Sequence, residues 1–443
     1  MNILFITNGE PKQRRPRDII KKVIPDLADQ LKNFASLVLP KAILRLVLSG
    51  FGTGEKRFPL GLGYLSAMLK LGGHTVSLVD RFADPNDWPD DIHSTDFVGV
   101  YTSTPCYEDA LRVLKHLEAE GYGGPVAFGG PHATALPETI PPRVNYIVQG
   151  EAEYIINDLV HGKYPSGVTL RTQRIKDLDA LPRADYDLFT DKARSYRFTI
   201  PYSDVTPIFN MNTSRSCPLS CSFCTVRKIW GRLWRAQSAQ RIFDDILWLK
   251  RKYGIGGVYF REDFFSASES RVFELCELLI KNKTNIVWAC EIRADTACDE
   301  NMVNLMARSG CKGFYIGAES GSQRMLNYYT KKITVDQIVR ASLLAKKYHI
   351  AVAMSLIVAN PEETQKDRFK TWNMVRQTRP EILYVNAYRD EVSRHGSVNF
   401  PTYPSRETIN ISYDNGTWLG QNQRMRTKSM PADPIALQSK EKC

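Results

Sequence analysis

The chain predicts an α/β protein built in two parts, and three observations carry that reading. Short apolar strands alternate with amphipathic helices over residues 1 to about 160, which is the pattern of a doubly wound parallel sheet. The rhythm breaks in a Pro-punctuated stretch and resumes from about 206 to 386 as six β-then-α units, too few to close an eight-stranded barrel. Near the head of the second run three cysteines stand close together, Cys217, Cys221 and Cys224.

In the first part, period and composition predict strands at Asn2 to Thr7, Thr75 to Asp80, Phe97 to Thr102, Val126 to Phe128 and Tyr146 to Val148. Leu60 to Leu71 and Tyr107 to Glu120 have helical apolar spacing. Two loops of small residues fall at strand ends: Thr102-Ser103-Thr104-Pro105, and Gly129-Gly130-Pro131-His132-Ala133-Thr134. Sheets of this kind bind ligands at the carboxyl ends of their strands. Hydroxyls and backbone without Cβ there allow a phosphate or nucleotide tail to approach closely, although ordinary turn chemistry also produces such loops.

Residues 161 to 205, with Asp179-Ala-Leu-Pro-Arg-Ala-Asp-Tyr-Asp-Leu-Phe, read as a Pro-punctuated interdomain connector, with a plain surface linker as the alternative. The second part predicts strands at Ile208 to Thr213, Gly257 to Phe260, Ile286 to Cys290, Gly313 to Gly317, Val352 to Ile357 and Ile382 to Val385, with helices between them, the first at Ala239 to Tyr253. Acidic and Arg side chains recur where these strands end: Arg261-Glu262-Asp263, Glu291-Ile-Arg293-Ala-Asp295 and Gly317-Ala-Glu319-Ser320. Strand ends are where chemistry collects in a barrel. After Tyr388 the chain turns polar and weakly periodic, and its last 15 or so residues read as disordered.

Composition bounds the class. The 443 residues suffice for two or three domains, and 43% hydrophobic with 24% charged residues is the balance of a soluble globular protein. Nine Cys in this length do not make a disulfide scaffold, and the six outside the cluster are scattered, which suits a reducing compartment. The N-terminus reads as a strand and not as a signal peptide, so a cytoplasmic protein is expected. Phe34 to Phe51 is interrupted by Pro40, Lys41 and Arg45. It falls short of the roughly 18 apolar residues of a membrane span and reads as a buried amphipathic helix. The net charge of +11 sits at the two ends: residues 1 to 57 carry 11 Lys and Arg against 5 Asp and Glu, residues 366 to 443 carry 13 against 8, and the middle is balanced. That distribution makes no basic stripe of the kind a nucleic-acid enzyme uses.

The C-x-x-x-C-x-x-C run lets one loop aim three thiolates at one iron-sulfur cluster, with one iron left open for a small molecule. A closed zinc site would want a fourth Cys or His, and none lies between Thr199 and Tyr253. With Phe223 just before the third cysteine, the run resembles the signature of the radical S-adenosylmethionine (SAM) superfamily. The resemblance implies a partial (β/α)6 barrel over 206–386 and a 4Fe-4S cluster on Cys217, Cys221 and Cys224. It also places Phe223, Glu262, Asp263, Arg293, Glu319 and Ser320 around SAM.

The first part also resembles a known domain. Phe58-Pro-Leu-Gly-Leu-Gly-Tyr-Leu-Ser-Ala-Met-Leu, Gly73-His-Thr-Val-Ser-Leu-Val-Asp80 and Val148-Gln-Gly-Glu-Ala-Glu153, with the two small-residue loops, look like the Rossmann-like cobalamin-binding domain of one large branch of that superfamily. The resemblance spans 1–160 and implies Thr102, Ser103, Thr104, Gly129 and Gly130 around the cobalamin tail. A D-x-H-x-x-G motif for a lower axial His is missing; Asp91-Ile-His93 lacks its Gly, and His93 reads as a loop residue. The segment from Glu10 to Arg57 replaces a short loop and reads as a lid or docking surface. In the second part, the family's G-x-P-G-E-T turn appears as Ala359-Asn360-Pro361-Glu362-Glu363-Thr364, without either Gly, and residues 387–443 form a short atypical C-terminal segment.

Together these resemblances imply cleavage of SAM to a 5'-deoxyadenosyl radical. The leading expectation is a cobalamin-dependent methyltransferase acting on an unactivated carbon or phosphorus centre of a small-molecule, lipid or peptide substrate, fed by a reducing partner such as flavodoxin or ferredoxin. A cobalamin-dependent cyclase or rrearrangement enzyme would share every motif. A methylthiotransferase would want three further N-terminal Cys, whereas residues 1 to 216 hold only Cys106. A non-enzymatic cobalamin or iron-sulfur binding protein would hold a cluster and leave SAM intact.

Overall fold

The computed structural model describes residues 1–9, 58–89, 91–190, 199–200, 203–388, 401–411, 413–414 and 417–418. The expectations for Glu10 to Arg57, including Phe34 to Phe51, and for the last residues to Cys443 lie outside the described residues.

The first part is a seven-stranded sheet in which every pairing is parallel. Its strands are β1 (Asn2–Thr7), β2 (Thr75–Asp80), β3 (Phe97–Tyr101), β4 (Val126–Gly129), β5 (Tyr146–Gln149), β6 (Val168–Thr172) and β15 (Thr408–Ile411), in the order β15-β6-β5-β4-β3-β1-β2. Because successive side chains point to opposite faces, the apolar run of β1 feeds two cores at once. Leu4 and Ile6 pack with helix α2 (Tyr107–Ala119) on one face, and Ile3 and Phe5 pack with α1 (Leu60–Leu71) and α4 (Ile156–Val160) on the other. Strand order reverses between β1 and β3, and the crevice of such a sheet opens at that switch. Helix α3 (Pro131–Ala135) begins one strand further along, directly after β4 and beside the end of β3, where His132 N–H donates to Thr102 O.

Two strands escaped sequence reading. β6 begins within the stretch read as a connector, and β15 lies in the stretch expected to be irregular, yet Thr408 to Ile411 pairs in parallel with Thr169 to Thr172 as the sheet's edge. Half-exposed side chains give β15 little apolar signal; its register is held by backbone hydrogen bonds and by Arg406, which donates to the carbonyls of Val144 and Pro141. The connector is more than a surface linker: Leu178, Leu181, Ala184, Tyr186 and Phe189 join the main core.

The second part is six parallel strands, β7 (Ile208–Met211), β10 (Gly257–Phe260), β11 (Val287–Ile292), β12 (Cys311–Glu319), β13 (Ala351–Val358) and β14 (Ile382–Ala387), paired in that order with β7 and β14 unjoined. This is the partial barrel. Outward residues such as Phe260, Trp288, Phe314 and Met354 form one core with the covering helices, and Ile200, Ile208, Tyr259 and Ala289 form a small cluster of their own. Helix α6 (Ala239–Tyr253) spans the predicted bounds, capped by the Ser238 side chain and ended by Gly254 in the left-handed conformation. No described helix is long and apolar enough to cross a membrane.

The turn lacking both Gly survives by strain. Ala359 takes φ +60° itself, its N–H donates to Glu363 Oε2 at 3.0 Å, and Thr364 then caps α11 (Gln365–Thr378) in a reciprocal capping box with Asp367.

Candidate functional site

The three cysteines lie on the loop between two short strands, β8 (Ser214–Arg215) and β9 (Arg235–Ala236), which pair antiparallel and fix the loop's base. The loop is pinned from three sides. Ser216, at φ +78°, donates its hydroxyl to Gly231 O at 2.8 Å and its N–H to Asp263 Oδ2 at 3.2 Å. Ser222 N–H donates to Tyr329 O at 2.9 Å. Phe223 sets its ring against Tyr329 edge to face, with centroids 5.5 Å apart.

Electrostatically the loop is incomplete. Burial, then the neighbouring Cys221, Asp263 and Cys217, push the Cys224 thiol up to about 11, and burial likewise raises Cys217. Thiolates crowded together beside a carboxylate want a cation. A bound metal cluster meets that need, since a coordinating thiol is deprotonated outright. Among the described residues no three His, Cys, Asp or Glu side chains converge on a single ion, whereas in a cubane cluster each thiolate takes a different iron.

The strand-end residues divide by what they touch. Glu262 is saturated by its own chain: Thr213 N–H donates to Oε1 at 2.6 Å, the Thr213 and Ser214 hydroxyls donate to Oε1 and Oε2, and Arg271 Nη2 lies 3.5 Å from Oε2. It buttresses the turn that leads into the cysteine loop. Asp263 lines the cavity described below, as Glu262 also does, but among the described residues accepts only from Ser216 N–H; burial and the Glu291 charge raise its carboxyl to about 6. Arg293 is held in a bidentate pair with Asp295, at 3.0 and 2.8 Å, and also donates to Lys331 O. Glu319 sits at a register shift in β12 with φ +61° and accepts from Lys331 Nζ at 2.8 Å. Gly317 makes room for this carboxylate, since a Cβ there would lie 2.5 Å from Glu319 Oε1. The Ser320 hydroxyl lies 3.1 Å from Thr371 Oγ1 and accepts from Ser322 N–H.

Between the two parts lies a cavity of about 390 Å³. Tyr101, Gly129, Gly130 and Gly150 face it from the sheet, and Arg215, Trp230, Arg261, Asp263 and Glu291 face it from the barrel. Of the five residues expected around a cobalamin tail, Gly129 and Gly130 line it. Thr102 does not: its hydroxyl donates to Gly129 O at 2.8 Å and accepts from Ala133 N–H, bracing the loop from behind. Ser103 faces Asn8 and Thr104 faces His132. The two glycines differ in kind. Gly130, at φ +100°, has a conformation that L residues rarely adopt, and a Cβ there would meet Thr102 O at 2.8 Å. Gly129 has only Val148 Cβ at 4.0 Å, so nothing in the protein requires glycine there, and the missing Cβ leaves open space in the cavity wall. A ligand pressed against that wall fits this observation. None of the described residues lining the cavity is a histidine, and His93 sits in a loop with its N–H on Asp91 Oδ1.

Sequence reading missed the joint between the parts. Glu151 and Glu153, on the loop after β5, pair with Arg215 and Arg235, which flank the cysteine loop: Arg215 to Glu153 at 2.6 Å, Arg215 to Glu151 at 3.2 Å and Arg235 to Glu151 at 2.6 Å. The only signal available was an arginine two residues before the first cysteine and an E-x-E pair in a distant loop.

Comparison with known proteins agrees with this architecture. The model of the radical SAM superfamily matches residues 211–375, and that of the B12 binding domain matches residues 53–160. An uncharacterized methyltransferase of Pyrococcus horikoshii is 29% identical over 360 residues, 75% of this chain and 75% of its own length. An anaerobic magnesium-protoporphyrin IX monomethyl ester cyclase of Rubrivivax gelatinosus is 27% identical over 73% of this chain and 63% of its own length. Among solved structures, the methyltransferase TsrM from Kitasatospora setae, with cobalamin and a [4Fe-4S] cluster bound, superposes with a TM-score of 0.63 at 14% identity, over 88% of this chain and 72% of that one. The cobalamin-dependent radical enzyme OxsB, with aqua-cobalamin and SAM bound, superposes at 0.60 and 18% identity over 84% of this chain, which spans about half (51%) of the OxsB chain.

Proposed function

The chain belongs to the radical SAM superfamily and carries an N-terminal B12-binding domain, and from that premise we propose that it is a cobalamin-dependent methyltransferase acting on an unactivated carbon or phosphorus centre. The observation that carries this reading is the shared cavity: the open wall at Gly129 and the two ends of the cysteine loop, Arg215 and Trp230, face the same space. In this reading Cys217, Cys221 and Cys224 hold a 4Fe-4S cluster, and Gly129 and Gly130 receive cobalamin. When bound, these groups supply an electron for the cleavage of SAM and a transferable methyl group.

The chain's own residues bind and orient. Asp263 and Arg293 flank the cysteine loop with opposite charges, as the amino and carboxylate ends of SAM require. Glu319 stands on a strained backbone beside Lys331, oriented for a ribose hydroxyl, with Ser320 behind it. Phe223, locked on Tyr329, sets the height of the loop above the barrel. Ile200, Ile208, Tyr259 and Ala289 form an apolar cluster toward the amino ends of the barrel strands, away from the site. Substrates considered are small molecules, lipids and peptides, the electron donor is a flavodoxin or ferredoxin, and the setting is the cytoplasm.

Anaerobically reconstituted, reduced protein given SAM should release 5'-deoxyadenosine slowly without substrate and, with substrate, S-adenosylhomocysteine as well. Absence of any 5'-deoxyadenosine contradicts the proposal. The cyclase relative supports a second reading, a ring-forming radical enzyme on the same cavity; that enzyme would yield 5'-deoxyadenosine with no methylated product.

A further inference from the structure

The stretch from Ser214 to Gln237 contains five cations and no carboxylate. Two of the five, Arg215 and Arg235, are buried against Glu151 and Glu153. The other three, Arg227, Lys228 and Arg232, are exposed and have no ion-pair or hydrogen-bond partner among the described residues. Helix α5 (Val226–Trp230) sorts them by face: Ile229 and Trp230 line the cavity, and Arg227 and Lys228 point away from it. Leu233, 62% exposed, adds an apolar contact beside Arg232. On the other side of the cysteine loop, exposed Ser222 donates its hydroxyl to Tyr328 O, and the Tyr328 ring is 47% exposed. The outer surface of the loop that carries the three cysteines is thus a cationic patch with two exposed apolar side chains.

We infer that this patch is the docking surface for a small acidic one-electron carrier protein. The inference rests on the cluster assignment proposed above. Cations without partners raise no desolvation cost until a partner arrives, speed encounter with an acidic surface and fix its orientation, while Leu233 and Tyr328 supply the apolar contacts that hold it. The partner loses one electron and the oxidised cluster gains it, with no proton or bond change. The patch starts three residues after Cys224, so docking here brings the carrier against the loop and leaves the cavity free for substrate.

The test uses full-length protein with its cluster reconstituted, and as probes an acidic flavodoxin and an acidic ferredoxin. Binding to the oxidised carrier is measured by calorimetry at low and high salt, and cluster reduction by stopped-flow absorbance with the reduced carrier or with dithionite. The triple variant Arg227→Glu, Lys228→Glu, Arg232→Glu should bind the carrier at least about tenfold more weakly and lose its salt dependence, with iron content and dithionite reduction unchanged. Leu233→Ser should weaken binding without altering the salt dependence. Equal binding by the triple variant, or no binding of either carrier to a wild-type protein whose cluster dithionite reduces, overturns the inference, as does binding of transfer RNA or anionic vesicles at this patch in place of the carriers. A wild-type protein that holds no cluster contradicts the proposed function instead.

Discussion

Arg215 and Glu153 join the two parts of the molecule at the cysteine loop, with Arg215 Nη2 donating to Glu153 Oε1 at 2.6 Å and both side chains less than a tenth exposed. Burial works against the Arg215 charge, but Glu153 and then Glu151 outweigh it and hold the guanidinium firmly ionised. Arg215 also lies 5.4 Å from the centre of the Tyr64 ring, in α1 of the sheet part, and 5.8 Å from that of Trp230, at the end of α5. A residue two positions before Cys217 is therefore positioned by the other domain.

Glu153→Gln should destabilise the protein by about 1.5 to 3 kcal/mol, the loss of one charge-assisted contact, because Arg215 keeps Glu151 at 3.2 Å. The double change Glu153→Leu with Arg215→Met should recover much of that loss. Chemical denaturation checks both, and a Glu153→Gln variant as stable as wild type removes the joint from the account.

The same joint has a definite acid sensitivity. Burial pushes the Glu151 carboxyl up, but the Arg235 hydrogen bond and the charges of Arg215 and Arg235 prevail and hold it below its ordinary range. A carboxylate depressed in the fold contributes stability that is complete above its unfolded value of about 4.3 and is lost as pH falls through the lower folded value. Small-angle scattering should show unchanged dimensions from about pH 6 to 8 and expansion only below about pH 4. Expansion near neutrality would assign the joint to other groups.

Gly129 and Gly130 should behave differently on substitution. Gly130→Ala forces a side chain into a positive-φ, extended-ψ conformation open essentially only to glycine, at about 1 to 3 kcal/mol, and against Thr102 O. It should lower the stability of the cobalamin-free protein. Gly129→Leu should leave that stability nearly unchanged while preventing retention of hydroxocobalamin through gel filtration. Full cobalamin retention by Gly129→Leu would move the ligand off this wall.

Glu262 and Glu319, both expected near SAM, separate in the same manner. Glu262→Gln should act on stability, because Arg271 and the Thr213 and Ser214 donors lose a buried carboxylate. Glu319→Ala strips buried Lys331 of its ion-pair partner and so also costs stability, but unlike Glu262→Gln it should weaken SAM binding by about ten- to a hundredfold, the loss of one charge-assisted contact. Equal SAM affinity with and without the Glu319 side chain contradicts the placement.

Much of this architecture was legible in sequence because its central strands are buried on both faces and so read as apolar runs, while edge strand β2 alternates exposed and covered residues. β1, β2 and β10 have the bounds that the residues predict, and α1 and α6 begin and end where their apolar spacing does. What stayed hidden depends on partners distant in the chain. Thr408 to Ile411 is a strand only because β6 offers it an edge, Tyr186 is core only because Trp248 and Tyr253 of α6 cover it, and Phe189 only because Phe58 and α1 do. At the site, spacing pointed to the cysteines, but no local pattern could tell that Glu262 is consumed by Thr213 and Ser214, or that Thr102 turns its hydroxyl away from the cavity.

The most direct test of the central claim is the count of iron, sulfide and cobalamin on one anaerobically reconstituted preparation. The account predicts roughly four iron, four sulfide and one cobalamin per chain. Replacing Cys217, Cys221 and Cys224 together by Ala should remove the iron and keep the cobalamin, Gly129→Leu should do the reverse, and Cys106→Ala or Cys290→Ala should change neither. Iron retained by the triple cysteine variant, or a wild-type protein that emerges free of cobalamin, would contradict it.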